Sequence, residues 1–197
     1  GSTISGLGDE AVSISGASAA AADLNAINTA TTGVVTVAST TITGSAADLV
    51  TTYAAQGAAE GIDGLGDEAV SVSGASSAAS DLNTVNTATT GVVTVASTTI
   101  TGTASDVATT YAAQGVSQGI DGLGDEAVTI SGASSAAADL VAINSATTGV
   151  VAIGSTTITG SAADVAAVYA ANGVANGVSG LGDEAVSISG ASSAAAD

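Results

Sequence analysis

The sequence predicts an α/β repeat solenoid of about seven strand–helix coils, with parallel stacked short strands on one side and Ala-rich helices on the other. Three observations predict it. The heptad Gly-Leu-Gly-Asp-Glu-Ala-Val recurs with a 58-residue period, at Gly6, Gly64, Gly122 and Gly180. Hydroxyl and aliphatic residues alternate in seven short, nearly evenly spaced runs centred on Ile14, Ile42, Val72, Ile100, Ile130, Ile158 and Ile188. Each run leads through a glycine into an Ala-rich segment. The array is read as a single body over 1–197, with units 6–63, 64–121 and 122–179 and a partial unit 180–197. Each full unit joins a 28-residue half-repeat to a 30-residue one. A β-only solenoid is the alternative, but it must place Ala-Ala-Ala-Asp-Leu segments in corners or strands, against their helix propensity.

The strands come first in each coil. Ser13-Ile14-Ser15, Thr41-Ile42-Thr43, Ser71-Val72-Ser73, Thr99-Ile100-Thr101, Thr129-Ile130-Ser131, Thr157-Ile158-Thr159 and Ser187-Ile188-Ser189 are the seven runs. A period of two puts every aliphatic side chain on one face and every hydroxyl on the other. Shorter strands precede them at 34–37, 92–95 and 150–153, and Ile62–Gly66 and its equivalents take that place in the other half. Helices follow the glycines. Ser45 with Asp48, Thr103 with Asp106 and Ser161 with Asp164 fit a capping box that uses Asp at its fourth position. Leu24 with Ile27, and Leu49 with Tyr53, give each helix a narrow apolar stripe. Gly57, Gly115 and Gly173, or Gly33, Gly91 and Gly149, are expected to cap the helix C-termini. Tyr53, Tyr111 and Tyr169 are expected as core fillers with the hydroxyl at the rim. Asn28, Asn86 and Asn144 are expected to make turn hydrogen bonds or a short Asn ladder.

Composition limits function more than it names it. Of 197 residues 46% are hydrophobic, yet Leu, Ile and Val together number only 42, so any core is thin. Thin identical layers are better stabilised by stacking than by forming one globule. The chain has 18 Asp and Glu, no Lys or Arg, and a formal charge of −18. Without cations it cannot neutralise phosphates, which excludes nucleic-acid partners, and it has no attraction for an anionic membrane surface. No apolar run approaches the length of a membrane span, so no membrane insertion is expected. Without His, Cys, Lys or Arg there is no side chain for base, nucleophile-partner or oxyanion roles, and the chain reads as a non-enzyme.

Gly-Leu-Gly-Asp-Glu-Ala-Val, Thr-Ile-Thr-Gly-Ser-Ala-Ala-Asp and Ala-Thr-Thr-Gly-Val-Val resemble the tandem repeats of very long bacterial, notably cyanobacterial, cell-surface and secreted proteins. Such repeats often accompany haemolysin-type calcium-binding modules. The resemblance implies an extracellular structural or adhesive segment at the cell surface, with an unknown cell-surface or carbohydrate partner. The Gly-Gly-x-Gly-x-Asp nonapeptide of calcium β-rolls is absent, so calcium binding is not inherited from that motif.

Two groups of residues are candidate sites. Seven acids, Asp23, Asp48, Asp81, Asp106, Asp139, Asp164 and Asp197, occupy helix starts, where the dipole favours them. The Asp-Glu pairs sit in Gly-rich loops that can aim both carboxylates and backbone carbonyls at calcium, the one cofactor considered. Asp63, Asp67, Glu68, Asp121, Asp125 and Glu126 are the stronger candidates, because Asp63 and Asp121 add a third carboxylate. Asp9, Glu10, Asp183 and Glu184 are the weaker ones. The second group is a hydroxyl ladder of Thr41, Thr43, Ser71, Ser73, Thr99, Thr101, Thr129, Ser131, Thr157 and Thr159. A continuous two-column array of this kind could face ice or another surface. Residues 1–23 nearly repeat residues 175–197, so end-to-end association of the chain with itself is also expected.

Overall fold

A computed structural model describes residues 8–190 of the chain. Gly6 of the first heptad and Asp197 lie outside the described residues. The first stretch contains β1 (Val12–Ile14), β2 (Ser18–Ala20), α1 (Ala21–Ala30), β3 (Val35–Val37), β4 (Thr41–Gly44), α2 (Ala46–Ala54), β5 (Ile62–Asp63) and β6 (Ala69–Val72). The pattern then recurs as β7 (Ser76–Ala78), α3 (Ala79–Ala88), β8 (Val93–Val95), β9 (Thr99–Gly102), α4 (Ala104–Ala112), β10 (Ile120–Asp121) and β11 (Ala127–Ile130). It recurs again as β12 (Ser134–Ala136), α5 (Ala137–Ala146), β13 (Val151–Ile153), β14 (Thr157–Gly160), α6 (Ala162–Ala170), β15 (Val178–Ser179) and β16 (Ala185–Ile188). All strand pairs are parallel. The fold is the expected α/β repeat solenoid, with six helices among the described residues.

The residues group into two compact units. One comprises residues 1–74, 84–96 and 115–121, and the other 75–83, 97–114 and 122–197. The first holds a three-stranded sheet, β1-β3-β5, and a five-stranded sheet, β2-β4-β6-β8-β10. The second holds a five-stranded sheet, β7-β9-β11-β13-β15, and a three-stranded sheet, β12-β14-β16. In the first unit α1 packs on α2; in the second α4 packs on α5 and α5 on α6. Strand aliphatics form the core: Val35, Ile42, Val72, Ile100 and Ile158 are each 0% exposed. Leu24, Leu49, Leu140 and Val168 close it from the helix side, each at most 1% exposed.

Three features differ from the sequence reading. The helices begin at Ala21, Ala46, Ala79, Ala104, Ala137 and Ala162, so short and long steps alternate far more unevenly than the two expected half-repeats. The longer half carries the Gly-Leu-Gly-Asp-Glu loop and one additional strand, so each period supplies five strands to two helices. That additional strand is the Ser-Ala-Ala segment of β2 and its Ser-Ser-Ala equivalents β7 and β12, expected as helix. It is held extended by the neighbouring Thr-Ile-Thr strand, in the register Ser76↔Thr99, Ser77↔Ile100 and Ala78↔Thr101. Pairing of this kind overrides the helix propensity of alanine.

The five-strand count also breaks the hydroxyl ladder. Its strands divide two by two: β4 with β6, β9 with β11 and β14 with β16. β6 and β9 belong to different sheets. The seven-strand column is therefore not formed. Thr43, Thr101 and Thr159 are half-buried and donate to the carbonyls of Ala19, Ser77 and Ser135, each at 3.5 Å, while Ser73, Thr129 and Ser131 are exposed. The remaining members, Thr41, Ser71, Thr99 and Thr157, are half-buried as well.

Helix ends follow two designs. At α2, α4 and α6 the side chains of Ser45, Thr103 and Ser161 accept the N–H of Asp48, Asp106 and Asp164, at 3.1–3.2 Å. The same hydroxyls donate back to the Asp carboxylates at 2.6–2.7 Å, so the acid orients the cap. At α1 and α5 the strand runs straight into the helix through Ala20 and Ala136, with no side-chain cap. The glycines expected as C-caps divide. Gly57, Gly115 and Gly173 lie beyond the helix end with φ of 72°, 68° and 75°. Gly33, Gly91 and Gly149 are not caps at all; they belong to the site described next.

Candidate functional site

The Asp-Glu loops, the tyrosines and the Thr-Thr-Gly turns come together in one structure, repeated along the chain. In the first unit Tyr53 on α2 donates its hydroxyl to Oε1 of Glu68, 15 residues later. The N–H groups of Gly66 and Asp67 donate to Oε2 of the same carboxylate at 2.8 and 3.2 Å. Gln56 extends the grip, its side-chain oxygen accepting the Leu65 N–H at 3.1 Å. From the following coil Thr89 donates its hydroxyl to the Glu68 carbonyl at 2.7 Å and accepts the Gly91 N–H at 2.9 Å. Thr90 donates its N–H to the Gly66 carbonyl at 2.8 Å. A Cβ on Gly91 would stand 2.1 Å from the Glu68 carbonyl oxygen, so only glycine admits this approach.

The second unit repeats the arrangement. Tyr111 donates to Glu126 at 2.9 Å, and the Gly124 N–H lies 2.9 and 3.0 Å from the two carboxylate oxygens. Gln114 accepts the Leu123 N–H at 3.2 Å, and Thr147 donates to the Glu126 carbonyl at 2.9 Å. Each loop is thus tied to the helix before it and the turn after it. We call this a latch.

The latch sets the two acids of each Asp-Glu pair apart. Glu68 and Glu126 are 3% and 2% exposed, whereas Asp67 and Asp125 face solvent. With no cation in the sequence, a buried carboxylate must be stabilised by hydrogen-bond donors, and the phenol and loop amides supply them. Tyr53 and Tyr111 are core fillers as expected, with hydroxyls that point inward to the carboxylate, whereas Tyr169 is only half-buried. Burial, followed by the hydrogen bond to the glutamate, holds both phenols far above the ordinary tyrosine range.

The outer copies are incomplete among the described residues. Tyr169 donates to Glu184, and the Gly182 N–H donates to the other oxygen at 2.8 Å. That hydrogen bond, ahead of burial, pushes Tyr169 up to about 12 and lowers Glu184 below the ordinary carboxyl value. Asn172 stands in for the glutamines and donates to the Leu181 carbonyl at 3.4 Å. At the other end Glu10 has the turn, with Thr31 donating to its carbonyl at 2.6 Å, but no tyrosine. Its carboxylate accepts the Gly8 N–H at 2.6 Å, which lowers its pKa.

The remaining candidates do not converge on an ion. Asp63 and Asp121 are exposed on the two-residue strands β5 and β10, paired beside Thr36 and Thr94. Asp9 and Asp183 are exposed as well. Among the described residues no three acidic side chains gather into a group that could hold a metal. A notch of about 260 Å³ lies beside Asp67 and Glu68, bordered by Ser39, Thr40 and Gly64.

Sequence reasoning missed the threonine and glutamine members of the latch. A constant Tyr-to-Glu separation of 15 residues, absent only at the first heptad, was the available signal. It also missed Asn25 and Asn83. Each donates across to a carbonyl of the next helix, of Asp48 and Asp106, at 2.9 Å, and accepts a hydroxyl, of Thr52 and Thr110, at 2.8 Å. The third repeat replaces both partners together, by Val141 and Val168. The neighbouring Asn28, Asn86 and Asn144 instead lie within α1, α3 and α5 and leave their side-chain oxygens buried without a partner. Comparison of the chain with protein-family models, curated proteins and solved structures gives no match. No helix among the described residues is long and apolar enough to cross a membrane.

Proposed function

We propose that this chain is a non-enzymatic structural repeat segment, a spacer or stalk within a large bacterial surface or secreted protein, whose reach grows with the number of 58-residue units. The observation that supports this reading is the latch. The most chemically distinctive residues of the repeat, the buried glutamate and the tyrosine, are used up in joining one coil to the next. Bonds that tie each coil to its neighbours, copied from unit to unit, suit a load-bearing connector and leave no unique cleft for a substrate. The absence of Lys and Arg also removes every trypsin-type cleavage site, which suits an extracellular location.

The test is a series of chains with one, two and three added 58-residue units, measured by small-angle scattering and single-molecule stretching. A constant increment in maximum dimension per unit, with a repeated unfolding force, is the expected result. Dimensions that saturate as units are added would overturn the spacer reading.

Calcium stiffening is a second reading, supported by the exposed Asp67 beside its notch. In its narrower form the ligands are Asp67 and Asp125 with neighbouring carbonyls, not the buried glutamates. Thermal melts in EDTA and in millimolar calcium, against magnesium at matched ionic strength, decide it. An unchanged midpoint removes the ion.

A further inference from the structure

The loops that lead from α2, α4 and α6 to β5, β10 and β15 share one design. In each, two glycines follow long polar side chains: Gln56-Gly57 and Glu60-Gly61, Gln114-Gly115 and Gln118-Gly119, then Asn172-Gly173 and Asn176-Gly177. Only the third loop shortens both side chains to asparagine. The chain's other asparagines, Asn25, Asn28, Asn83, Asn86 and Asn144, lie within α1, α3 and α5, and none precedes a glycine.

The fold itself demands what makes the last pair reactive. Asn176 has φ of 59° and its equivalent Gln118 has 62°, a left-handed conformation that asparagine, after glycine, adopts at least cost. A Cβ on Gly177 would lie 2.4 Å from the Ala171 carbonyl oxygen, so only glycine fits there. An asparagine followed by glycine is the pair in which the next backbone nitrogen reaches the side-chain amide with least hindrance. Asn176 is exposed, and its side chain makes no hydrogen bond among the described residues. The Gly177 N–H is held by the Val174 carbonyl, three residues back, at 3.0 Å. At Asn172 the same attack is restrained. Its side chain donates to the Leu181 carbonyl at 3.4 Å, its backbone pairs with Val178, and the Gly173 N–H donates to the Val178 carbonyl at 2.9 Å. Freeing Gly173 therefore unpairs the start of β15, whereas freeing Gly177 opens one turn.

We propose that Asn176 is a site of spontaneous deamidation, which makes the third loop the joint at which this chain ages. The Gly177 nitrogen bonds to Cγ of Asn176, the Cγ–Nδ2 bond breaks, and the Gly177 amide proton passes through water to the departing ammonia. Water then opens the five-membered imide at either carbonyl. Attack at Cγ leaves an aspartate in ordinary linkage. Attack at the backbone carbonyl routes the main chain through Cβ and Cγ, as isoaspartate. Gln118 would have to close a six-membered ring, which is slower, and Glu60 carries no amide. The Asp-Gly pairs at Asp63 and Asp121 lie on β5 and β10, and an ionised carboxylate is a poor electrophile at neutral pH. Either product adds one negative charge, but only isoaspartate adds a backbone atom. That atom has no room: Gly177 is buried against the Ala171 carbonyl, and Val178, 1% exposed, pairs with Val151 of β13. This reactivity is independent of whether the chain is a spacer.

The test incubates the intact 197-residue chain, folded and in urea, at slightly alkaline pH and locates amide loss by peptide mass spectrometry. In the folded chain Asn176 should convert about five- to tenfold faster than Asn172, the factor conferred by one further hydrogen bond to be broken. Asn176→Gln, with Gln118 as its precedent, should fold and stop the reaction at that position. The purified isoaspartate form should exchange the amides of Gly173 and Val178 several-fold faster than the parent. Asn176→Asp, with the same charge and no added atom, should exchange them as the parent does. No detectable conversion of Asn176 in the folded chain by the time the urea-treated chain has converted would overturn the proposal, as would faster conversion of Asn172. Amide exchange in the isoaspartate form equal to that of Asn176→Asp would overturn the role of the loop as the ageing joint.

Discussion

Replacing Tyr111 by Phe isolates one hydrogen bond of the latch. The ring, 7% exposed, keeps its packing, and only the hydroxyl that donates to Glu126 at 2.9 Å is lost. Glu126 is 2% exposed, so water cannot take the donor's place, and the carboxylate is left with the Gly124 N–H. Hydrogen bonds to charged groups contribute about 1.5–3 kcal/mol, with the upper part of that range applying where the partner is left buried. We expect a loss of about 2–3 kcal/mol, which at an m-value of about 2 kcal/mol/M moves the urea midpoint down by about 1 M or slightly more. Circular dichroism is the suitable signal, because the variant removes one of three tyrosine reporters. Faster amide exchange at Gly124 and Thr148 should localise the loss to the latch. Tyr169→Phe is the internal control: Glu184 is half-exposed, water can replace the phenol, and the cost should stay below about 1 kcal/mol. Equal losses for the two variants, or a Tyr111→Phe loss under about 0.5 kcal/mol, would refute the argument that buried donors stabilise the carboxylate.

Four further outcomes are expected. Thr52→Val should destabilise by about 1–2 kcal/mol, because it leaves the Asn25 side-chain oxygen without its donor, and Asn25→Val by less, because the Thr52 hydroxyl keeps the Ala21 and Asp48 carbonyls; valine stands at both equivalent positions of the third repeat, Val141 and Val168, and a urea double-mutant cycle measures the coupling. Ala19→Ser should raise stability by about 1 kcal/mol by giving Ser39 the partner that Ser77 and Ser135 give Ser97 and Ser155; an unchanged urea midpoint would refute it. Gly149→Ala should be far more damaging in urea melts than Gly173→Ala: the first drives a Cβ to 2.0 Å from the Glu126 carbonyl, while the second meets nothing within 4 Å and costs about 1–2 kcal/mol for its φ of 75°. Alkaline titration should show no tyrosinate near pH 10 while the chain is folded. The raised phenol pKa values stabilise the fold fully below the unfolded value of 10.0, and that contribution is lost as pH rises through the folded values, with Tyr169, near 12, ionising first. Tyrosinate absorbance and circular dichroism should therefore change together above that pH.

What could be read from the sequence was local and periodic. The repeat period, the burial of Ile42, Ile100 and Ile158 between hydroxyls, and the Ser45, Thr103 and Ser161 caps all follow from residue type and spacing. The Ser76-Ser77-Ala78 strand could not be read in the same way, because its extended form is imposed by β9, which lies beyond the whole of α3 and β8. That one strand then decided which sheet each hydroxyl run joined, and the ladder failed with it. The role of Glu68 was hidden for a different reason. Glutamate is nearly always exposed, and the donors that reverse this preference arrive from a tyrosine on the preceding helix and from its own loop.

The alternation of short and long coils restricts how such a gene can grow. Tyr53 sits on the helix that precedes a longer coil, and Thr89-Thr90-Gly91 follows the next helix, so a latch needs one coil of each kind in fixed order. Recombination that inserts or deletes a whole period leaves every carboxylate with its phenol and every glycine against its carbonyl. Slippage by half a period would bury a glutamate without a donor. Length in this chain is therefore quantised, and natural variants should differ by whole periods, never by a single coil.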